Sequence, residues 1–129
     1  LQSGRILHAN AGHPLPMVVE AEGGVAEAEV GGEALGPALG LFGDAEYQHA
    51  DLELKPGMRL FFYTDGLTEA RSEQQEEFEE GGLVKSLQGH LAEPLPSLLD
   101  LIVKDAVAFT GTPEFEDDVC ILGIHFARD

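Results

Sequence analysis

Met58-Arg59-Leu60-Phe61-Phe62-Tyr63-Thr64-Asp65-Gly66 is a run of large apolar residues that stops at an acid and a glycine. Leu60 to Tyr63 reads as a strand buried on both faces, because consecutive apolar residues leave no polar face. Pro56-Gly57, just before it, is turn chemistry. Asp65-Gly66 ends the strand. A carboxylate there has a rigid backbone and a free head, which suits a metal ligand or a catalytic acid. The competing reading is that Asp-Gly only makes a turn.

Around this stretch, the 129 residues amount to one domain or part of one. An apolar content of 43% is enough for a packed core. Seven Lys and Arg stand against 24 Asp and Glu, a formal charge of −17. That balance argues against nucleic acid and anionic membranes as partners, since both are bound through basic clusters. It is compatible with divalent cations. The single Cys120 has no internal disulfide partner and sits in an apolar run, so it reads as a small core residue in a reducing, cytoplasmic compartment. No apolar run is long enough to span a membrane, and no signal peptide is visible. Leu1-Gln2-Ser3-Gly4-Arg5 lacks an initiating Met and runs straight into a strand, so the chain is expected to begin inside a larger protein.

On the N-terminal side, residues 5–11 and 15–21 read as two strands joined by Gly12-His13-Pro14, which suggests a hairpin, with Pro16 pointing to an edge or a late start. Residues 25–30 alternate like a short exposed strand. Residues 31–44 are glycine-rich, and Leu35, Leu39, Leu41 and Phe42 suggest a loop that packs onto something. This loop has neither nucleotide-binding glycine pattern. Residues 47–54 alternate as a half-buried strand, and Lys55-Pro56-Gly57 would join it to the opening strand as a second antiparallel pair.

On the C-terminal side, the acidic run 72–80 reads as a solvated loop leading into a short helix over 83–91. Residues 96–109 are the clearest helix. Leu98, Leu99, Ile102, Val103, Ala106 and Phe109 make one apolar face, Pro96 and Ser97 suit its first turn, and Gly111 and Pro113 stop it. An acidic turn over 114–118 precedes a last strand over 119–126. The order of elements is α+β, antiparallel strands with helices on one face.

Asp65 thus lies at the exit of one apolar strand, and Asp117 and Asp118 lie at the entry of another. If those strands are antiparallel neighbours, the acids meet at one edge of the sheet. Like charges so close need a cation or raised pKa values. Mg²⁺ or Mn²⁺ would suit, since hard ions take oxygen ligands and keep several waters. Alternatively, Asp117-Asp118 caps a turn and never meets Asp65. His8, His49, His90 and His125 have no metal-ligand spacing and read as structural or exposed. His13 sits in a tight turn with Asn10, Gly12 and Pro14, where it either fixes the turn or orients a phosphate or water. No residue sits in a nucleophile turn of the hydrolase kind.

Four motifs occur in order: Ala9-Asn10-Ala11-Gly12-His13-Pro14, Gly36-Pro37-Ala38-Leu39-Gly40-Leu41, Tyr63-Thr64-Asp65-Gly66-Leu67-Thr68-Glu69-Ala70-Arg71, and Asp117-Asp118-Val119. Together they resemble the C-terminal half of bacterial PPM-type (protein phosphatase 2C-like) serine phosphatases, in the SpoIIE/RsbU branch that regulates sigma factors. The resemblance covers nearly the whole chain. It implies that residues 1–129 are the C-terminal portion of one α-β-β-α sandwich domain with a dinuclear Mn²⁺ or Mg²⁺ centre. It implies that a metal-activated water attacks a phosphoserine or phosphothreonine, typically on an anti-sigma-factor antagonist. Asp65 is then a metal ligand and Asp117 a second, with Asp118 as the reserve candidate. A homodimer is compatible with this reading, and direct membrane contact is not expected.

The chain departs from the family pattern in two places, and from related phosphatases outside this branch at His13. It has no Asp-x-x-Gly-x-Gly motif, which in the family lies in the N-terminal half and supplies the bridging aspartate. His13 stands where phosphatases outside this branch carry an acid that can help hold a third metal. Ser72, Gln75 and Phe78-Glu79 replace the Asn, Gly and Phe-Gly usual after Arg71, which implies a differently shaped flap. With part of the site outside it, the chain alone is expected to be inactive. The alternative is a non-catalytic binding module with a degenerate phosphatase fold; a third reading is an unrelated acidic metal-binding domain.

Overall fold

The computed structural model describes residues 4–127. The opening residues 1–3, part of the stretch read as lying inside a longer chain, fall outside that range. The elements in order are β1 (Arg5–His8), β2 (Asn10–Ala11), β3 (Met17–Val19), β4 (Val25–Glu27), a 3-10 turn (Gly32–Ala34), β5 (Leu35–Gly36), β6 (Ala50–Glu53), β7 (Arg59–Tyr63), α1 (Asp65–Thr68), α2 (Glu79–Gly89), α3 (Leu95–Thr110) and β8 (Ile121–His125).

The apolar run 60–63 forms the central strand. β7 lies between β3 and β8 in a four-stranded antiparallel sheet ordered β4-β3-β7-β8. Its side chains alternate between two cores, as the period of a strand requires. Phe61 and Tyr63 enter the larger core with Met17, Leu83, Leu98 and Ile102. Leu60 and Phe62 enter a second core with Leu52, Leu54, Ile6 and Val18. Helices α2 and α3 cover the first face, and the antiparallel pair β1-β6 covers the second. The layering is helices, sheet, sheet, which is three layers of an α-β-β-α sandwich.

Helix α3 buries Leu98, Ile102 and Ala106 completely, and Gly111 ends it in the left-handed conformation (φ 76°) with its N–H donating to the Val107 carbonyl at 2.9 Å. Each such buried Leu or Ile contributes roughly 1.5–3 kcal/mol relative to exposure. Gly123 on β8 lets this helix sit close to the sheet, since a Cβ there would lie 2.7 Å from the Leu95 side chain and 3.3 Å from the Phe61 ring.

The structure corrects several expectations. Residues 5–11 and 15–21 do not form a hairpin: β1 pairs with β6, and β3 pairs with β4 and β7. The link between them crosses from one layer to the other. Nor do β6 and β7 pair, because both edges of β7 are occupied, by β3 and β8. Helix α2 begins at Glu79, four residues earlier than its leucine spacing indicates. Leu35, Leu39, Leu41 and Phe42 are exposed rather than packed. Cys120 is exposed too, at the entry to the edge strand β8, so it is not a core residue.

Tyr63 is 2% exposed, and its hydroxyl has no hydrogen-bond partner among the described residues. Burial, with help from the Glu80 and Glu27 charges, pushes its phenol up to about 12. An unsatisfied buried hydroxyl costs about 1–3 kcal/mol, so Tyr63→Phe is expected to stabilise the fold by about 1 kcal/mol in urea denaturation. The folded pKa lies above the unfolded value of about 10. The stability tied to the protonated phenol is therefore complete below pH 10 and lost as pH rises toward about 12. Tyr63→Phe should show a correspondingly shallower alkaline decline.

Candidate metal site

The β7–β8 ladder pairs Arg59 with His125 and ends with Tyr63 opposite Ile121. Antiparallel pairing puts the exit of β7 beside the entry of β8. Asp65 does not end the strand in a simple turn; it opens the short helix α1. Its backbone is held by the rest of that turn, since the Asp65 carbonyl accepts from the Glu69 N–H at 2.8 Å and from the Thr68 hydroxyl at 3.2 Å. The Asp65 side chain is exposed, whereas Gly66, Leu67 and Thr68 are buried.

The two acidic segments touch through their backbones. A Cβ on Gly66 would lie 2.5 Å from the Asp118 carbonyl oxygen and 3.2 Å from the Asp117 carbonyl carbon. Thr64 spans the same gap. Its N–H donates to the Cys120 carbonyl at 3.1 Å, and its hydroxyl donates to the Asp118 carbonyl at 2.7 Å and accepts from the Cys120 N–H at 2.9 Å. The Asp117-Asp118 backbone therefore lies beside Thr64 and Gly66, the two neighbours of Asp65.

The two neighbouring aspartates differ. Asp117 accepts from the Asp118 N–H through Oδ1 at 2.7 Å, which fixes its carboxylate. Asp117 also lines a pocket of about 240 Å³ with Gly66, Glu69, Ala70, Arg71 and Glu116. Asp118 and Asp65 do not line it. Arg71 is the cation on its wall, and Glu77 holds that guanidinium at 2.8 Å. The hydrogen bond and charge of Glu77 raise the Arg71 pKa.

Do these residues fit a hard divalent ion? The donors are carboxylate oxygens, the type Mg²⁺ and Mn²⁺ prefer. Among the described residues, no ion pair engages Asp65, Asp117 or Asp118. Their charges, with Glu69 and Glu116 nearby in sequence, favour a cation. Yet no group of three or more possible ligands converges among the described residues. The chain fits as a contributor of one or two carboxylates, a number compatible with an ion that keeps much of its water.

The histidines lie apart from this arrangement in their bonding. The turn at His13 is closed by Asn10, whose Oδ1 accepts from the His13 N–H at 2.8 Å and whose Nδ2 donates to the His13 carbonyl at 2.7 Å. Asn10, not the imidazole, fixes that turn. His8 packs tilted against Phe62 at 5.9 Å, and His90 meets Asp105 at 3.0 Å between α2 and α3. Sequence reading missed Thr64 and Gly66 as site-building residues. The available signal was a hydroxyl and a glycine flanking the acid at a strand exit.

A family model described as Stage II sporulation protein E (SpoIIE) matches residues 1–127. Protein IcfG of Synechocystis sp. is 27% identical over 126 residues, covering 97% of this chain and 19% of that protein. The SiaA-PP2C domain of Pseudomonas aeruginosa superposes with a TM-score of 0.74 at 25% identity, covering 97% of this chain and 48% of that one. The RsbU and RsbW domains of a Mycobacterium tuberculosis protein give 0.72 at 23% identity, with 97% and 33% coverage. The phosphatase domain of SpoIIE from Bacillus subtilis, presoaked with Mn, gives 0.69 at 14% identity, with 97% and 51% coverage. The chain thus spans about half the length of two of these solved chains and less of the others.

Proposed function

Because the chain belongs to the Stage II sporulation protein E (SpoIIE) family, we propose that it is the C-terminal portion of a PP2C-type phosphatase domain that hydrolyses phosphoserine or phosphothreonine on a regulatory protein. A phosphorylated anti-sigma-factor antagonist in the cytoplasm is the substrate class this reading favours. The observation that carries it is the antiparallel β7–β8 pairing, which sets Asp65-Gly66 against Asp117-Asp118. Asp65 and Asp117 are the proposed ligands for Mn²⁺ or Mg²⁺. Asp117 is preferred over Asp118 because it lines the pocket beside Gly66. The remaining ligands of a two-ion centre would come from outside this chain.

A bound divalent ion would neutralise phosphoryl charge and activate water. The chain's own contribution is placement. Asp65 follows the central strand by two residues, and its backbone is held in the first turn of α1. Asp117 is steadied by its bond to the next N–H. Gly66, with no side chain, lets the backbones of the two segments meet.

Mn²⁺ titration of the chain, followed by paramagnetic broadening of amide signals, tests this. Broadening should centre on residues 64–69 and 116–120 and disappear in Asp65→Asn. In a domain-length protein that includes this chain, Asp65→Asn is expected to lower Mn²⁺-dependent hydrolysis of p-nitrophenyl phosphate by about 100-fold or more, beyond what loss of a ligand's outer partner costs. Equal turnover in the two proteins would remove Asp65 from the mechanism. The second reading, a non-catalytic module on the same fold, draws on the lack of a three-ligand cluster among the described residues. It is favoured if Mn²⁺ leaves unchanged the spectrum of a domain-length protein that includes this chain.

A further inference from the structure

Thr64 sits between the last residue of β7 and the first of α1, in extended backbone (φ −88°, ψ 153°). It belongs to neither element, and it makes three hydrogen bonds across to the opposite segment. Its hydroxyl uses its donor and acceptor functions on two residues that flank Val119: it donates to the Asp118 carbonyl and accepts from the Cys120 N–H. Residues 116–118 are exposed and carry no regular structure. The Asp118 N–H is bonded by its own neighbour, Asp117. The Thr64 side chain is thus the cross-strand tether that the acidic turn receives ahead of the β8 ladder.

We infer that Thr64 is a positioning residue, whose hydroxyl fixes the Asp117-Asp118 turn against Asp65 so that carboxylates from the two segments can share one divalent ion. This role rests on the proposed cation site. The chemistry separates the role from plain structural support. The partners of the hydroxyl, on Asp118 and Cys120, lie in exposed residues, so water can replace a lost bond and folding loses little. Water cannot hold the turn in one place. The loss should therefore appear in ligand preorganisation, which depends on the groups that orient the ligands.

The test uses Thr64→Val, which keeps the shape and removes the hydroxyl, with Thr64→Ser as the rescue. Leu98→Ala, in the core of α3, controls for lost stability. Mn²⁺ itself is the probe, added to a domain-length protein that includes this chain and read by amide broadening and by the resonance of the free ion. Thr64→Val is expected to weaken Mn²⁺ binding about tenfold, the lower end for a lost outer partner of a ligand, with little change in Tm. The Cys120 amide should exchange faster with solvent. Thr64→Ser should recover both properties, and Leu98→Ala should lower Tm while leaving Mn²⁺ affinity near that of the unaltered chain. The proposal is overturned if Thr64→Val binds Mn²⁺ like the unaltered chain while Asp65→Asn does not; the cation reading then stands without it. If Asp65→Asn and the unaltered chain respond to Mn²⁺ alike, the cation reading fails and the role of Thr64 falls with it. If Thr64→Val and Leu98→Ala lose affinity in proportion to stability, Thr64 is structural only.

Discussion

Phe61→Ala is expected to destabilise the fold by about 3–5 kcal/mol, the usual cost of truncating a buried aromatic in a core that collapses only partly. Phe61 is fully buried at the middle of β7, with Met17 of β3 and Gly123 of β8 opposite it. Its ring reaches the larger core under α2 and α3. Neither strand neighbour can refill the space, because both are held in register and Gly123 has no side chain to move. A domain of this size typically has about 5–15 kcal/mol of stability, so the variant should be partly unfolded at room temperature or lose most of its urea midpoint. Leu60→Ala, on the opposite face, should be milder at about 2–4 kcal/mol, since the second core is smaller. A Phe61→Ala protein with an unchanged midpoint would contradict a central, doubly covered β7.

Gly66→Ala sets two effects against each other. In a helix, alanine is favoured over glycine by about 1 kcal/mol, so propensity alone predicts a gain. The added Cβ, however, would meet the Asp118 carbonyl oxygen at 2.5 Å and its carbon at 3.1 Å. These are backbone atoms, tied in place by Thr64 and the β8 ladder, and they cannot swing aside as a side-chain end would. Overpacking of this kind costs about 1–3 kcal/mol and occasionally more, so a net loss of about 2 kcal/mol is expected. The variant should also bind Mn²⁺ more weakly, because the turn carrying Asp117 has to move away from Asp65. Chemical denaturation and Mn²⁺ titration check the two parts separately. A stabilised variant would mean that the segments approach less closely than described.

Both expectations bear on how far the chain is legible. β7 is legible because four consecutive large apolar residues have few homes other than a strand covered on both faces. α3 is legible because Leu98, Ile102 and Ala106 recur at helical spacing and are all buried. The approach of the two acidic segments is legible only as a condition, that β7 and β8 be antiparallel neighbours; they are, and Gly66 lies against the Asp117-Asp118 backbone. The two hairpins suggested by short glycine-proline links do not form. Such links specify a reversal of direction, and the same residues serve equally to carry a strand into another layer. Cys120 misleads because an apolar neighbourhood in sequence does not say which side of an edge strand faces water. Leu39, Leu41 and Phe42 mislead for a similar reason: their apolar character implies cover that the described residues do not provide.

The order of side chains alone settles features that are local and periodic: the apolar run of β7, the stripe of α3, the glycine stop at Gly111, and the places along the chain where acids follow or precede buried strands. These come from side-chain spacing against the fixed geometry of strand and helix, which acts over a few residues. It took the assembled fold to decide which strands pair, that β6 turns to β1 rather than β7, and that the Thr64 hydroxyl spans to Asp118 and Cys120. Strand pairing runs through backbone N–H and C=O groups that are the same at nearly every residue, so the chain carries no label for its partners. The partners are settled by which arrangement buries both faces of β7 at once, and the contact of Gly66 with the Asp117-Asp118 backbone comes with it.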